Sequence, residues 1–200
     1  MLGALLAGCA SSPPTQFYTL EAVPPCQSSA AGGAGASACH PVSTQERTLH
    51  APAGPIQIAP VHIPAMLERQ EIVTARSSNE IILSNRHRWA APLAEMTRRT
   101  LTQDLLLRLQ GNEVVLPEQP APPDIREIVV NILNFQSDAA GHVVLQGSWS
   151  ALPPGSDTPG LMRHFSLTGQ AEATSYAGQV QAMSRLLGLL ADDIVSAVAQ

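Results

Sequence analysis

Three long β-strand candidates followed by one amphipathic helix fill the second half of this 200-residue chain and constrain its fold more than any other feature. The predicted strands cover 125–136, 142–152 and 161–173, and turn-rich segments join them, which favours antiparallel neighbours. The helix predicted for 176–198 carries one apolar stripe at spacings of three and four residues, formed by Tyr176, Val180, Met183, Leu187, Leu190, Ile194 and Val198. Such a stripe has to be buried against another element, and the predicted sheet supplies one.

The first half of the chain predicts shorter elements of the same kinds. Strands are expected at 17–20 and 56–63, and the runs 70–74 and 80–83 are predicted to form a hairpin joined by Ala-Arg-Ser-Ser-Asn. Residues 86–89 lead into a first helix in which Pro92 suits the first turn and Gly111 marks the end. Its apolar face is predicted to carry Leu93, Met96, Leu101, Leu105 and Leu109, and a short strand follows at 113–116. The expected fold is therefore α+β, a mostly antiparallel sheet with two amphipathic helices packed on one face.

The N-terminal segment predicts a lipid anchor. Leu6-Ala7-Gly8-Cys9 resembles the bacterial lipobox, in which small residues precede a cysteine that becomes acylated. Residues 1–8 are interpreted as a lipoprotein signal peptide truncated by a start codon placed too late, and 9–16 as a lipidated, proline-containing tether. Residues 17–200 form a single domain with a flexible insert at about 24–54. The alternative is a chance cysteine in a frayed N-terminus.

Two further cysteines, Cys26 and Cys39, flank a low-complexity stretch of serine, alanine and glycine. In an oxidising compartment they predict a disulfide, which would stabilise the fold by about 3 kcal/mol on the chain-entropy model. Free thiols are one alternative. A zinc site with His40 is another, although two cysteines and one histidine match no usual zinc spacing.

Composition disfavours several function classes. The net charge of −5 provides no basic field for nucleic acid, and all eleven basic residues are arginine. Without lysine the chain has no Walker A loop, Schiff-base lysine or Ser-x-x-Lys site. The six histidines show no metal-ligand spacing, so no catalytic residue, metal or cofactor is expected. The helix carboxylates Glu95, Asp104, Asp192 and Asp193 are interpreted as solvated.

Tryptophan and arginine are concentrated in one segment, where Arg86, Arg88 and Trp89 precede the first predicted helix. Two interpretations stay open. Trp89 packs the helix onto the sheet while the arginines face water, or the cluster is a partner interface, since both residue types are frequent binding anchors. Arginine also binds lipid phosphates in a bidentate manner.

The sequence resembles the ABC-type transport auxiliary lipoproteins. The matching features occur in order: the lipobox at Cys9, then Tyr18-Thr19-Leu20, the run 56–76, and the segment "NEIILSNRHRWAAPLAEMTRRTLTQDL". The match is strongest between residues 64 and 106, and the positions in the family pattern are Leu67, Arg69, Ile72, Trp89, Pro92 and Leu93. Arg69 therefore joins Arg86, Arg88 and Trp89 as a candidate interface residue.

The resemblance implies a non-catalytic lipoprotein of the outer membrane, facing the periplasm and held by acyl chains on Cys9, because Ala10 replaces the aspartate that retains lipoproteins in the inner membrane. Its implied partners are a periplasm-spanning MCE-domain protein and an inner-membrane permease and ATPase. Its implied role is a homo-oligomeric ring that acts as a docking or exit component for phospholipid or other hydrophobic cargo. The alternative is a monomeric periplasmic lipoprotein that binds a small ligand or stabilises another envelope complex.

Overall fold

Eight strands and two α-helices make up the fold in the computed structural model, which describes residues 13–25, 54–109 and 114–198. The strands are β1 (Gln16–Tyr18), β2 (Ile56–Ile58), β3 (Glu71–Ser77), β4 (Glu80–Trp89), β5 (Val114–Val115), β6 (Arg126–Asp138), β7 (His142–Leu152) and β8 (Leu161–Gln170). The helices are α1 (Leu93–Arg108) and α2 (Tyr176–Val198), and a short 3-10 helix spans Ala65–Leu67.

The eight strands form one mixed sheet, so the predicted mostly antiparallel sheet is wrong. Antiparallel pairing joins β3 to β4, β6 to β7 and β7 to β8, as the turn-rich connections predict. Four of the seven pairings are parallel: β1 with β4, β2 with β5, β2 with β6, and β3 with β6. Parallel neighbours need long crossover connections, which leave no turn signal in the sequence.

The residues before the first helix also differ from the prediction. Residues 86–89 are the last part of β4, which is ten residues long, and not a lead-in to α1. Pro92 is the N-cap of α1, and its carbonyl oxygen accepts a hydrogen bond from the Met96 N–H at 3.0 Å. The helix then continues to Arg108, with Leu93, Met96, Leu101 and Leu105 buried as its stripe predicts.

One hydrophobic core combines residues from both helices and from the central strands. Helix α1 contacts α2 and the short strands β2 and β5, whereas α2 contacts β6, β7 and β8. Along β6, Ile128, Val130 and Ile132 are buried while Asn131 and Leu133 are exposed. One face of this central strand therefore belongs to the core, and the opposite face is open.

Candidate functional site

Trp89 lies in the core at the end of β4 rather than on the surface. Its side chain is 3% exposed, and its backbone N–H donates to the Gln70 carbonyl oxygen at 2.7 Å. The next residue, Ala90, donates its N–H to the Tyr18 carbonyl oxygen at 2.9 Å. Trp89 is thus buried where three segments of the chain meet, which favours the packing interpretation of the Arg/Trp cluster.

The three candidate arginines differ in their surroundings. Arg69 and Arg86 are exposed, whereas Arg88 is half-buried and its Nη2 lies 3.9 Å from Glu71 Oε1. The Arg88 Nε is buried and has no hydrogen-bond partner in the part of the chain that the structure describes. Because Gln70 pairs with Trp89, the structure brings Arg69 to the same end of β4 as Arg88. These three arginines, called here the basic surface, lie near the end of β4 at which Trp89 is buried.

An aromatic cluster lies beside this surface and was not predicted from the sequence. The Tyr18 hydroxyl and His87 Nδ1 are 2.9 Å apart, and the His87 ring stacks on Tyr176 with centroids 3.9 Å apart and planes at 18°. Burial raises the pKa of the Tyr18 hydroxyl, and the neighbouring Tyr176 raises it further. The cluster joins β1, β4 and the start of α2. No pattern reveals it, because the three residues belong to distant segments.

A buried ion pair on α1, Asp104–Arg108, is linked to α2 through Asp192, and it corrects the interpretation of Asp104 as solvated. Arg108 Nη1 lies 3.2 Å from Asp104 Oδ1, and their side chains are 2% and 0% exposed. Arg108 Nε also donates to Asp192 Oδ1 on α2 at 2.9 Å. Asp104 Oδ1 accepts from the Val23 N–H at 2.8 Å, and the Val23 carbonyl oxygen accepts from Arg108 Nη1 at 3.1 Å. This network fixes the N-terminal segment to the helix pair.

Burial raises the pKa of Asp104 to about 6, because desolvation outweighs the opposing effects of the Val23 N–H and of Arg108. The second carboxylate oxygen, Oδ2, has no hydrogen-bond partner among the described residues. Asp193 is partly exposed, and it accepts hydrogen bonds from Trp149 Nε1 at 2.8 Å and from Arg163 Nη1 at 3.1 Å. These carboxylates hold the fold together.

The remaining predicted sites lie outside the described residues. Cys9, Cys26 and Cys39 all fall there, so the lipid attachment and the disulfide stay predictions. Within residues 13–25, 54–109 and 114–198, no three His, Cys, Asp or Glu side chains form a group that could hold a metal ion. Neither described helix has the length and apolarity needed to cross a bilayer.

A groove of about 600 Å³ runs between the segment that follows β1 and the start of α2. Its walls include Tyr18, Glu21, Val23, Gly178 and Gln181. The groove is open to solvent and contains polar as well as apolar side chains. The groove adjoins the aromatic cluster, because Tyr18 belongs to both.

Comparison with known proteins gives both curated relatives and solved structures. The chain is 26% identical over 124 residues to the intermembrane transport lipoprotein PqiC of Escherichia coli and, equally, to that of Shigella flexneri. The aligned region is 62% of this chain and 64% of each relative, so the chain spans less than two thirds of their length.

Two crystal structures share the fold. One, of an uncharacterized protein, is 23% identical with a TM-score of 0.66 and covers 75% of this chain and 95% of its own. The other, protein XCC0632 from Xanthomonas campestris, is 12% identical with a TM-score of 0.66 and covers 90% of this chain and 92% of its own.

The family model described as the ABC-type transport auxiliary lipoprotein component matches residues 39–195. This range contains β2 to β8, α1 and most of α2, together with Arg69, Arg86, Arg88 and Trp89. The chain therefore belongs to the ABC-type transport auxiliary lipoprotein family.

Proposed function

We propose that this chain is a non-catalytic, lipid-anchored subunit of an envelope lipid-transport system and that it acts at the periplasmic face of the outer membrane. The observation that carries the proposal is the family match over residues 39–195. The relatives named as intermembrane transport lipoproteins support it. The acylated residue is Cys9, which precedes the family match and lies in the lipobox-like sequence.

In this proposal the chain is a docking or exit component for phospholipid or another hydrophobic cargo. Its partners are a periplasm-spanning MCE-domain protein and the inner-membrane permease and ATPase of the same system, and several copies form a ring. The sheet and helices provide the rigid body, with both helices covering one face of the sheet. The alternating burial along β6 supports that arrangement, since its opposite face is open.

The proposed contact with the protein partner is the basic surface formed by Arg69, Arg86 and Arg88. Arg69 and Arg86 are exposed, and arginine is enriched where interfaces contribute most to binding. Trp89, which is buried at the same end of β4, keeps this strand and its arginines in position. Arg88 also forms a long ion pair with Glu71, with 3.9 Å between Nη2 and Oε1.

The anchor is tested by replacing Cys9 with serine in cells and measuring palmitate incorporation and membrane fractionation. Cys26→Ser is the matched control, because it removes another cysteine of the same N-terminal part of the chain. We expect Cys9→Ser to abolish labelling and to release a folded protein, whereas Cys26→Ser stays labelled and membrane-bound. Unchanged labelling of Cys9→Ser contradicts the anchor.

The partner is tested by photocrosslinking in cells from Arg69 and Arg86, with Ser166 as the control. Ser166 is exposed on β8, at the edge of the sheet opposite β4. We expect crosslinks from the arginine positions, and not from Ser166, to an MCE-domain protein.

The runner-up function is a monomeric lipoprotein that binds a small ligand. The groove beside α2 is the observation that favours it. A strictly monomeric protein without MCE crosslinks, carrying a small molecule detectable by native mass spectrometry, would establish this alternative instead.

A further inference from the structure

A stretch of three consecutive large apolar residues is exposed on β4. Ile81, Ile82 and Leu83 are 40%, 40% and 39% exposed. Neighbouring side chains of a strand point to opposite faces, so this stretch, called here the hydrophobic edge segment, presents apolar surface on both sides of the sheet. Scattered apolar residues on a surface are ordinary, but a contiguous exposed run indicates a contact.

The hydrophobic edge segment also lies on an open edge of the sheet. Strand β4 pairs with β3 along one side, and on the other side β1 covers only His87, Arg88 and Trp89. Among the described residues, no strand pairs with that outer side of β4 between Glu80 and Arg86. An exposed apolar edge promotes aggregation unless something covers it.

The direction of β1 indicates what covers it. Because β1 is parallel to β4, with Gln16 opposite His87, the chain that precedes Gln16 heads towards the earlier residues of β4. Cys9 lies seven residues before Gln16, a reach of up to about 23 Å at the rise of an extended strand. Ile81 pairs with Ala75 and Arg88 pairs with Glu71, so the register shift in β4 leaves Ile81 only about 13 Å along the sheet from the level of Arg88. The chain between Cys9 and Gln16 is therefore long enough for an acylated Cys9 to reach the level of the hydrophobic edge segment.

The charges near the segment suit phospholipid headgroups. Residues 69–89 contain four arginines and two glutamates, a formal charge of +2 in a chain whose net charge is −5. Both glutamates are engaged, Glu80 with Arg76 at 3.2 Å and Glu71 with Arg88 at 3.9 Å. Among the described residues, Arg69 and Arg86 have no ion-pair partner, and Arg86 lies three residues after Leu83. Guanidinium groups bind phosphate oxygens well.

We propose that the hydrophobic edge segment rests on the phospholipid bilayer in which the acyl chains of Cys9 are inserted. This inference rests on the lipid anchor proposed above and adds a second, orienting membrane contact. A single tether limits the distance of the domain from the bilayer but leaves the rotation of the domain free. Two contacts fix both, so the basic surface around Trp89 keeps a constant direction towards a partner.

The test uses the full-length acylated protein carrying Ile82→Trp. This variant is reconstituted in vesicles of phosphatidylethanolamine, phosphatidylglycerol and brominated phosphatidylcholine. The native Trp89 and Trp149 are 3% and 0% exposed, so their background quenching is low. Leu83→Trp is the second variant, in case Ile82→Trp disturbs the fold. Met162→Trp is the matched control, because Met162 is 58% exposed but lies on β8 at the opposite edge of the sheet.

We expect bromine to quench the tryptophan at position 82 or 83 at least about twofold more than the tryptophan at position 162, with a blue shift on reconstitution. Equal quenching at all three positions in protein whose Cys9 is acylated by intact mass overturns this inference and leaves the anchor standing. A blue shift that depends on protein concentration, without bromine quenching, shows that a second copy covers the segment and also overturns it. An intact mass that shows Cys9 without acyl chains overturns both the lipid anchor and this inference.

Discussion

Replacing Arg108 with methionine removes the cation that neutralises Asp104 inside the helix pair. The Arg108 side chain is 2% exposed, and it donates to Asp104, to Asp192 and to the Val23 carbonyl oxygen. Methionine fills a similar volume, so the cost comes from the charge and the hydrogen bonds rather than from a cavity. Asp192 is 44% exposed and is rehydrated, whereas Asp104 is 0% exposed and stays buried without its partner.

Removing one partner of a buried ion pair costs about 3–5 kcal/mol. With an m-value of about 2 kcal/mol/M, the urea midpoint should fall by about 1.5–2.5 M at pH 7.5. The measurement is equilibrium urea unfolding followed by circular dichroism. Asp104→Leu combined with Arg108→Met removes both buried charges, so we expect the double variant to be more stable than Arg108→Met alone.

Arg163→Met is the matched control, because Arg163 pairs with Asp193 where both side chains are 37% exposed. An ion pair this open to solvent contributes about 1 kcal/mol or less. Equal midpoint shifts for Arg108→Met and Arg163→Met would refute the assignment of Asp104 and Arg108 as the costly buried pair. A double variant no more stable than Arg108→Met would refute it as well.

Two further predictions concern the same core. The pKa of Asp104 is raised from 3.8 to about 6 on folding, so the folded state binds more protons between these values, and the stability that this group contributes is lost as pH rises through 6. We expect Asp104→Asn to remove that decline when urea unfolding of wild type and variant is compared between pH 4.5 and pH 7.5; parallel curves would contradict the assignment. Trp89→Ala should lower the free energy of unfolding by about 3–5 kcal/mol, because the residue is buried. Wild-type stability with impaired partner binding would instead make Trp89 a direct interface residue.

The long elements of the second half were predictable because their patterns are local. The stripe from Tyr176 to Val198 gives the bounds of α2, and the predicted strand 142–152 coincides with β7. The turn-rich connections give both antiparallel pairings of β7. These signals are strong because each depends on residues close together in the chain.

The short strands β1, β2 and β5 overlap predicted strands, but their parallel pairing was not predictable. Strands β1, β2 and β5 have two or three residues each, too few to show a period, and their neighbours come from distant segments. The prediction that Asp104 is solvated was wrong because a carboxylate in a helix is usually exposed to solvent. Its place in the buried stripe, between Leu101 and Leu105 and four residues before Arg108, was the available signal.

The pairing of β1 with β4 determines how the fold bears mechanical load. Because the two strands are parallel, tension on the chain before Gln16 acts along β1 and loads its hydrogen bonds in shear, all at once rather than one after another. After β1, the Glu21 N–H donates a hydrogen bond to Ser184 on α2. The Val23 N–H donates to Asp104, and the Val23 carbonyl oxygen accepts from Arg108, both on α1, so any remaining force passes into both helices. A pull at the N-terminus is thus shared by the whole domain instead of peeling off its first strand.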